Sequence, residues 1–199
     1  MLRKLSNLLS YIYFLIFYFF HRQGIHLNGR VIVKGIPIIE LVKGAIIDIG
    51  EMVTLNSSNH KYHINMFAPV KLIADDTEAK IIIGSNTRIH GTCIHAKKYI
   101  SIGTNCLIAA NTNIMDCDGH NVSFENVKNR LGTIGNAKKI IIKDNVWIGT
   151  SCIILPGSII GEGSVIGAGS VVKGEIQPYC LALDSPAKVV KINDHPQSQ

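Results

Sequence analysis

The strongest constraint on the fold is a spacing of six residues between aliphatic side chains in the second half of this 199-residue chain. The series comprises Ile142, Ile148, Ile154, Ile160, Ile166 and Val172. An amphipathic α-helix needs a period near 3.6 residues, so a spacing of six cannot keep one helical face apolar over this length. A single strand, whose period is two, does not run this far either. The pattern therefore predicts short strands joined by tight turns.

Each six-residue unit can supply one flat side of a coil, so three units close a coil with three sides. The aliphatic residue then points inward and stacks on its equivalents in adjacent coils, at the strand spacing of about 4.8 Å. Four residues further on come mostly small side chains, which suit a corner: Val146, Cys152, Ser158, Ser164, Ser170 and Ile176. Hexapeptide repeats of this kind are typical of a parallel β-helix, an all-β fold.

The same register occurs upstream, at Ile83, Ile89, Ile102, Ile108 and Ile114. Between Ile114 and Ile142 the spacing is 28 residues, which is not a multiple of six. We therefore predict that the chain leaves the coil from about residue 115 to residue 139. The predicted solenoid spans residues 25–185, and residues 186–199 form a C-terminal segment with a polar tail that includes His195.

Residues 1–24 are predicted to form a separate, helical and membrane-associating region. Within it, "LLSYIYFLIFYFF" (Leu8–Phe20) is almost wholly apolar and is flanked by Arg3, Lys4 and Arg22. As a helix this stretch would rise only about 20 Å, less than the roughly 30 Å hydrocarbon core of a bilayer. A helix lying in the membrane interface fits best. The alternatives are packing on the body or on a neighbouring subunit, a membrane span, or a cleaved signal.

Composition narrows the classes of partner. The net charge of +6 favours anionic partners such as phosphates or acidic lipid, and we expect no nucleic acid. The five cysteines form no CxxC pair, and an odd number argues against a complete disulfide framework. We interpret them as small apolar residues in a reducing compartment. No spacing typical of metal ligands occurs, so no metal is expected.

The segment "IMDCDGHNVSF" begins the predicted loop and concentrates polar groups. A solenoid of Ile and Gly offers few reactive side chains, so chemistry is expected on loops that it holds. His120 can take a proton near neutral pH, and a carboxylate from Asp118 or Asp116 can fix the ring tautomer. The alternative is an ordinary polar turn. The two aspartates could also contact a substrate.

Four motifs carry a resemblance to a known family: "IMDCDGH", "DNVWIG", "IGAGSVV" and "PAKV". With them the chain resembles the hexapeptide-repeat acyltransferases with a left-handed parallel β-helix. It is most similar to the branch of maltose, galactoside, capsule, lipopolysaccharide and colanic-acid O-acetyltransferases. The resemblance covers residues 83–191 well and residues 25–79 loosely.

The resemblance implies a homotrimer with active sites between subunits and acetyl-CoA as acyl donor. His120 would deprotonate an acceptor hydroxyl, which attacks the thioester directly, without an acyl-enzyme. The resemblance also implies cofactor-binding positions at Trp147, Gly149, Thr150, Gly167, Ala168, Lys173, Lys188 and Lys191. His90, with Asp116 and Asp118, would contact the acceptor.

Each implied role has a structural alternative. Trp147 could pack at a subunit interface, Gly149 and Ala168 could be small because a corner requires it, and the lysines could simply be solvated. Relatives commonly have "GNPAK" where this chain has "LDSPAK", so Asp184 adds a negative charge near the expected CoA phosphates.

The sequence thus predicts an acetyl-CoA-dependent O-acetyltransferase acting on a sugar hydroxyl of a surface polysaccharide or its precursor. Because acyl-CoA is cytoplasmic, we expect a cytoplasmic protein, peripheral at the inner face of the plasma membrane. The alternatives are N-acylation of an amino sugar, a longer acyl group, or a non-catalytic trimeric scaffold. A zinc enzyme using His90, His95 and His120 is a further alternative.

Overall fold

The computed structural model describes residues 2–193. Helix α1 (Leu2–His21) comes first, and a 3₁₀ segment (Phe124–Gly132) lies in the longest loop. In chain order the strands are β1 (Ile25–Leu27), β2 (Ile32–Lys34), β3 (Ile38–Leu41), β4 (Ile46–Ile49), β5 (Thr54–Asn56), β6 (Lys71–Ala74), β7 (Lys80–Ile83), β8 (Arg88–His90), β9 (Cys93–Ala96), β10 (Tyr99–Ile102), β11 (Leu107–Ile108), β12 (Asn113–Met115), β13 (Ile140–Ile142), β14 (Trp147–Ile148), β15 (Ile153–Ile154), β16 (Ile159–Ile160), β17 (Val165–Ile166), β18 (Val171–Val172), β19 (Glu175–Ile176), β20 (Cys180–Leu183) and β21 (Lys188–Ile192).

The strands form three sheets, which are the three sides of a coil. The first has the order β1-β4-β7-β10-β13-β16-β19, the second β2-β5-β8-β11-β14-β17-β20-β21, and the third β18-β15-β12-β9-β6-β3. Every third strand therefore returns to the same side, as the six-residue period predicts. All pairings are parallel except β20 with β21.

The repeat aliphatic residues form the interior columns of the coil. On the second sheet, Ile108 pairs with Ile148, and Ile148 pairs with Ile166. All three side chains are fully buried. The free energy of folding comes mainly from removing such apolar columns from water, at about 25 cal/mol per Å².

The small residues four places further on lie at the corners, as expected. The buried Ser158 and Ser164 hydroxyls donate to Leu155 O and Gln177 O, each at 2.7 Å. These bonds give the buried hydroxyls an acceptor at the corner.

Helix α1 covers the first coil. Phe14 is only 1% exposed and belongs to the core cluster with Ile25, Val31 and Ile39. One face of the predicted N-terminal helix therefore packs on the body. Within residues 2–193, no helix is long and apolar enough to cross a membrane.

The C-terminal segment contains one further strand. Strand β21 runs antiparallel along β20, with Leu181 opposite Lys191, and ends just before the polar tail. No repeat signal announces this strand, because its five residues are all exposed. Residues 194–199, including His195, lie outside the described residues.

Candidate functional site

Asp116 anchors the start of the long loop, residues 115–139, by hydrogen bonds. Its Oδ1 accepts a hydrogen bond from Lys97 N at 2.8 Å, and its Oδ2 accepts from Lys98 N and Tyr99 N at 2.7 Å each. The residue is fully buried. Because both oxygens are occupied by backbone amides, this geometry gives no support to Asp116 as a catalytic or substrate-contacting group. Its carboxylate joins the loop to the turn between β9 and β10.

His120 lies on the exposed part of this loop, with its ring held by a backbone carbonyl. His120 Nδ1 is 3.1 Å from Thr133 O. A carbonyl oxygen can only accept, so Nδ1 carries the proton and Nε2 keeps its lone pair. The Thr133 hydroxyl accepts from Asn121 N at 2.9 Å and donates to Arg130 O at 2.7 Å. Thr133 therefore links both arms of the loop behind the ring.

The predicted pairing of His120 with an aspartate is not formed within this chain. Among the described residues, no carboxylate lies within ion-pairing distance of the His120 ring. Asp118 is exposed, and its contact with His120 is between backbone groups, His120 N to Asp118 O at 2.7 Å. The tautomer of His120 is set by Thr133 O instead.

A groove with a volume of about 560 Å³ runs over the outer face of the second sheet. Half of the predicted site residues line it: Trp147, Gly149, Thr150, Gly167, Ala168 and His90. Strands β8, β11, β14 and β17 form its floor, and the irregular loop after β5 forms one wall. His120 is not among its lining residues.

The upper end of the groove exposes backbone groups at two stacked corners. Gly149 N donates to Ile166 O and Gly169 N to Thr150 O, both at 2.8 Å. Within residues 2–193, the N–H groups of Thr150 and Ala168 have no hydrogen-bond acceptor. Thr150 is half-buried and Ala168 is exposed, so both amides are open to carbonyl oxygens of a ligand in the groove.

Close packing at the corner explains why residue 149 is a glycine. A Cβ on Gly149 would lie 2.6 Å from Ala168 N and 2.8 Å from Ala168 Cα. Glycine is therefore required there whether or not a cofactor binds. Trp147, by contrast, is 52% exposed, so the core does not explain its size.

The lower end of the groove holds His90 in a defined tautomer. Asn56 Oδ1 accepts from Ser58 N at 3.1 Å, which turns Asn56 Nδ2 toward His90 Nδ1 at 3.0 Å. Since Nδ2 donates, Nδ1 must accept, and the proton of the neutral ring sits on Nε2. The Tyr62 ring stacks on His90 with centroids 4.6 Å apart.

The surroundings keep His90 neutral. Burial, which has the largest effect, acts together with the charges of Lys34, Arg88 and His63 to lower the pKa of His90 to about 4. His90 is thus a fixed N–H donor across the physiological pH range.

This pKa predicts a pH dependence of stability. In the unfolded chain the pKa of His90 is about 6.5, so below pH 6.5 the unfolded state binds a proton on this residue. The native state does not bind that proton until the pH falls to about 4. Between pH 7 and pH 4.5, we expect wild type to lose about 1–2 kcal/mol more unfolding free energy than His90→Gln, allowing for partial exposure. Above pH 7 the two curves should run parallel. Urea unfolding at each pH measures this, and parallel curves throughout would contradict it.

The three predicted lysines are exposed and lie outside the groove lining. Lys188 and Lys191 lie on β21, in the sheet that carries the groove, whereas Lys173 follows β18 on the third sheet. Asp184 lies between β20 and β21, close in sequence to Lys188. Only two of the three lysines therefore share a side with the groove.

The comparisons with known proteins agree with this geometry. The model of the bacterial transferase hexapeptide family (six repeats) matches residues 139–174. Polysialic acid O-acetyltransferase of Escherichia coli O1:K1 / APEC is 37% identical over 117 residues, 58% of this chain and 37% of that protein. Galactoside O-acetyltransferase of Escherichia coli K12 is 44% identical over 96 residues, 48% of this chain and 45% of that protein.

Among solved structures, a hexapeptide-repeat acetyltransferase from Vibrio cholerae O1 biovar eltor, complexed with acetyl coenzyme A, is similar at 31% identity and a TM-score of 0.52. The similarity covers 56% of this chain and 59% of that one. The chain is therefore similar to the hexapeptide-repeat transferases over part of its length. The predicted resemblance and the left-handed parallel β-helix are thereby confirmed.

The similarity to hexapeptide-repeat transferases is partial in extent. The chain spans less than half the length of the two curated relatives named above. The family match includes Trp147 to Ala168, the upper part of the groove, whereas His120 lies before it.

Several residues in and beside the groove were not predicted from the sequence. Tyr62, His63 and Arg88 line the groove, and Asn56 contacts His90. The sequence signal that could have indicated them is the segment "NSSNHKYHINMFAPV", which interrupts the repeat. Its two histidines are typical of a loop that contributes to a site.

The described residues contain no cluster of metal ligands that would match the zinc-enzyme alternative. His95 Nε2 lies 2.9 Å from Asp75 Oδ2, on the third sheet, whereas His90 lies in the groove on the second. This contact is an ion-pair distance, but its angle does not suit a hydrogen bond. Among the described residues, no three potential ligands meet to hold a metal ion. The cysteines are free, and burial raises the pKa of Cys106 and Cys152.

Proposed function

We propose that this protein transfers an acetyl group from acetyl-CoA to a sugar hydroxyl of a surface polysaccharide or its precursor. The observation that carries the proposal is the groove, which unites five predicted cofactor-binding residues with His90. The similarity to two named O-acetyltransferases, and to a hexapeptide-repeat acetyltransferase solved with acetyl-CoA, supports it.

The groove suits a thioester and its pantetheine arm in two respects. Its floor is largely aliphatic, with Leu107, Val165 and Trp147 outward from the coil. Its two free amides, Thr150 N and Ala168 N, can donate to carbonyl oxygens of the arm or of the reacting thioester. Donors that are fixed before the reaction stabilise an oxyanion strongly, because they need no reorganisation.

The proposed reaction needs one base. His120 Nε2 takes the proton of the acceptor hydroxyl, and the hydroxyl oxygen attacks the thioester carbon. The tetrahedral intermediate collapses, the C–S bond breaks, and the leaving thiolate of CoA takes the proton from the imidazolium. Thr133 O keeps the proton on Nδ1 throughout, so Nε2 remains the reacting atom.

The acceptor is proposed to lie beside His90. Its Nε2–H can donate to a sugar oxygen, and the stacked Tyr62 offers an apolar surface to a pyranose face. Arg88, at the same end, can bind a hydroxyl or an acidic sugar substituent. These groups fit a polar, ring-shaped acceptor.

The active site is proposed to form between copies of a homotrimer. In one chain His120 does not line the groove, so a neighbouring loop must bring the base to the thioester. The loop exposes apolar side chains that a neighbour would cover: Val122, Phe124, Val127, Leu131 and Ile134. Such an exposed apolar patch is unusual unless it meets another surface.

The location is proposed to be cytoplasmic and peripheral to the inner face of the plasma membrane. Acyl-CoA is made and used in the cytoplasm, which places the groove there. The apolar segment of α1 supports contact with the membrane that carries polysaccharide precursors.

An acetyl-transfer assay tests the function directly. The protein is incubated with acetyl-CoA and a panel of oligosaccharides, with free thiol and product mass measured together. We expect equal amounts of released CoA thiol and of acetyl ester, the ester being labile to mild base. A base-stable amide product would indicate N-acylation instead, and absence of CoA binding by calorimetry would favour the scaffold alternative.

A further inference from the structure

Helix α1 has a second apolar face that points away from the solenoid. This outer face of α1 comprises Leu8, Leu9, Ile12, Tyr13, Leu15, Ile16, Phe19 and Phe20. Leu9 is 58% exposed and Phe20 is 75% exposed. Spacings of three and four residues keep the members along one side of the helix.

The opposite face of α1 is already occupied by packing. Phe14 is buried in the core cluster, and Tyr11, Phe17 and Tyr18 pack against it. A helix that only covers a solenoid end presents polar side chains to water on its other side. Here the outer side is apolar too, so a second partner is required to remove it from water.

Charge indicates what that partner is. Residues 1–39 contain five Lys or Arg and no Asp or Glu, whereas residues 40–199 contain fifteen and fourteen. The first 39 residues therefore carry +5 of the net +6. The first acidic residues that follow are engaged: Glu40 pairs with Lys71 at 3.6 Å, and Asp48 with His26 at 2.6 Å.

The cations lie around the outer face of α1. The Arg22 guanidinium is 5.5 Å from the centre of the Phe19 ring. Lys43 and Phe20 line one shallow depression, and Leu8, Arg30 and Lys34 line another. An apolar stripe bordered by cations matches the boundary between acyl chains and anionic headgroups.

We infer that the outer face of α1 docks on the surface of an anionic lipid bilayer. The helix lies flat at the depth of the headgroups, and the solenoid projects from it, because α1 covers the first coil. A second copy of this chain is a poorer partner, since two surfaces of the same strong positive charge repel. This inference does not rest on the acetyl-transfer proposal.

Vesicle co-sedimentation tests the docking with the full chain. We expect binding to phosphatidylcholine vesicles that contain phosphatidylglycerol, and much weaker binding to phosphatidylcholine alone or at high salt. Ile16→Glu/Phe20→Glu should abolish binding. Arg22→Glu changes the local charge by two, which predicts about thirtyfold weaker binding to anionic vesicles.

The matched control is Ile192→Glu, at the opposite end of the chain. Its side chain is 58% exposed, close to the 54% of Ile16. It should bind like wild type, and so should His120→Ala, which separates docking from catalysis. Failure of wild type to bind anionic vesicles would overturn the inference. So would equal binding by Ile16→Glu/Phe20→Glu, or a smaller assembly in light scattering for that variant alone, which would make the face a contact between copies.

Discussion

Replacing His120 by alanine lowers kcat for acetyl transfer by about 10²- to 10⁴-fold, the usual contribution of a positioned general base. The KM for acetyl-CoA is expected to stay within about twofold, because His120 is outside the groove proposed to hold the donor. The measurement is steady-state release of CoA thiol at saturating acceptor. His26→Ala is the matched control: this histidine is exposed on β1 and makes only a surface pair with Asp48, so activity should be unchanged.

Mixing variants extends this test to the shared site. His120→Ala keeps the groove, whereas Ala168→Trp keeps the base and fills the groove. If the two parts come from different copies, refolding equal amounts together restores roughly a quarter of the sites by random assembly. An activity no higher than that of the separate variants, with both folded and assembled, would rule out the intersubunit site. A fully active His120→Ala would rule out the base.

Replacing Asp116 by alanine has the largest expected effect on stability. The change leaves the amides of Lys97, Lys98 and Tyr99 without their acceptor inside the protein. Each unpaired buried donor costs about 1–3 kcal/mol, so we expect a loss of about 3–5 kcal/mol in the free energy of unfolding. Urea denaturation followed by circular dichroism measures it.

Asp118→Ala is the control for this prediction, because Asp118 is two residues away and exposed. It should change the unfolding free energy by no more than about 0.5 kcal/mol. A loss below 1 kcal/mol for Asp116→Ala would show that water replaces the carboxylate, and that the loop root does not depend on it.

The solenoid could be predicted from the sequence because its period is a property of neighbouring residues. Ile148 and its equivalents recur every six positions, and each coil contacts only the next, so a local pattern specifies the whole stack. Strand β21 was missed for the opposite reason: its residues are exposed, and only its pairing with β20 defines it.

The site was predictable in part. The motifs located Trp147 and Ala168, which the coil brings into one groove from successive turns. They could not reveal that the Asp116 carboxylate faces inward to three amides while Asp118 faces outward, since both follow the same "DCD" pattern. Nor could they bring Asn56 to His90, a contact across 34 residues of chain.

The antiparallel strand β21 also affects whether another strand can be added to the last coil. A parallel stack leaves unpaired backbone groups on its last coil, which could template the first coil of another molecule and so grow a fibre. Because β21 occupies the edge of β20 in the reverse direction, a further parallel rung cannot be added on that side. With α1 across the first coil, parallel strand addition is obstructed at one edge of the last coil and over the first coil.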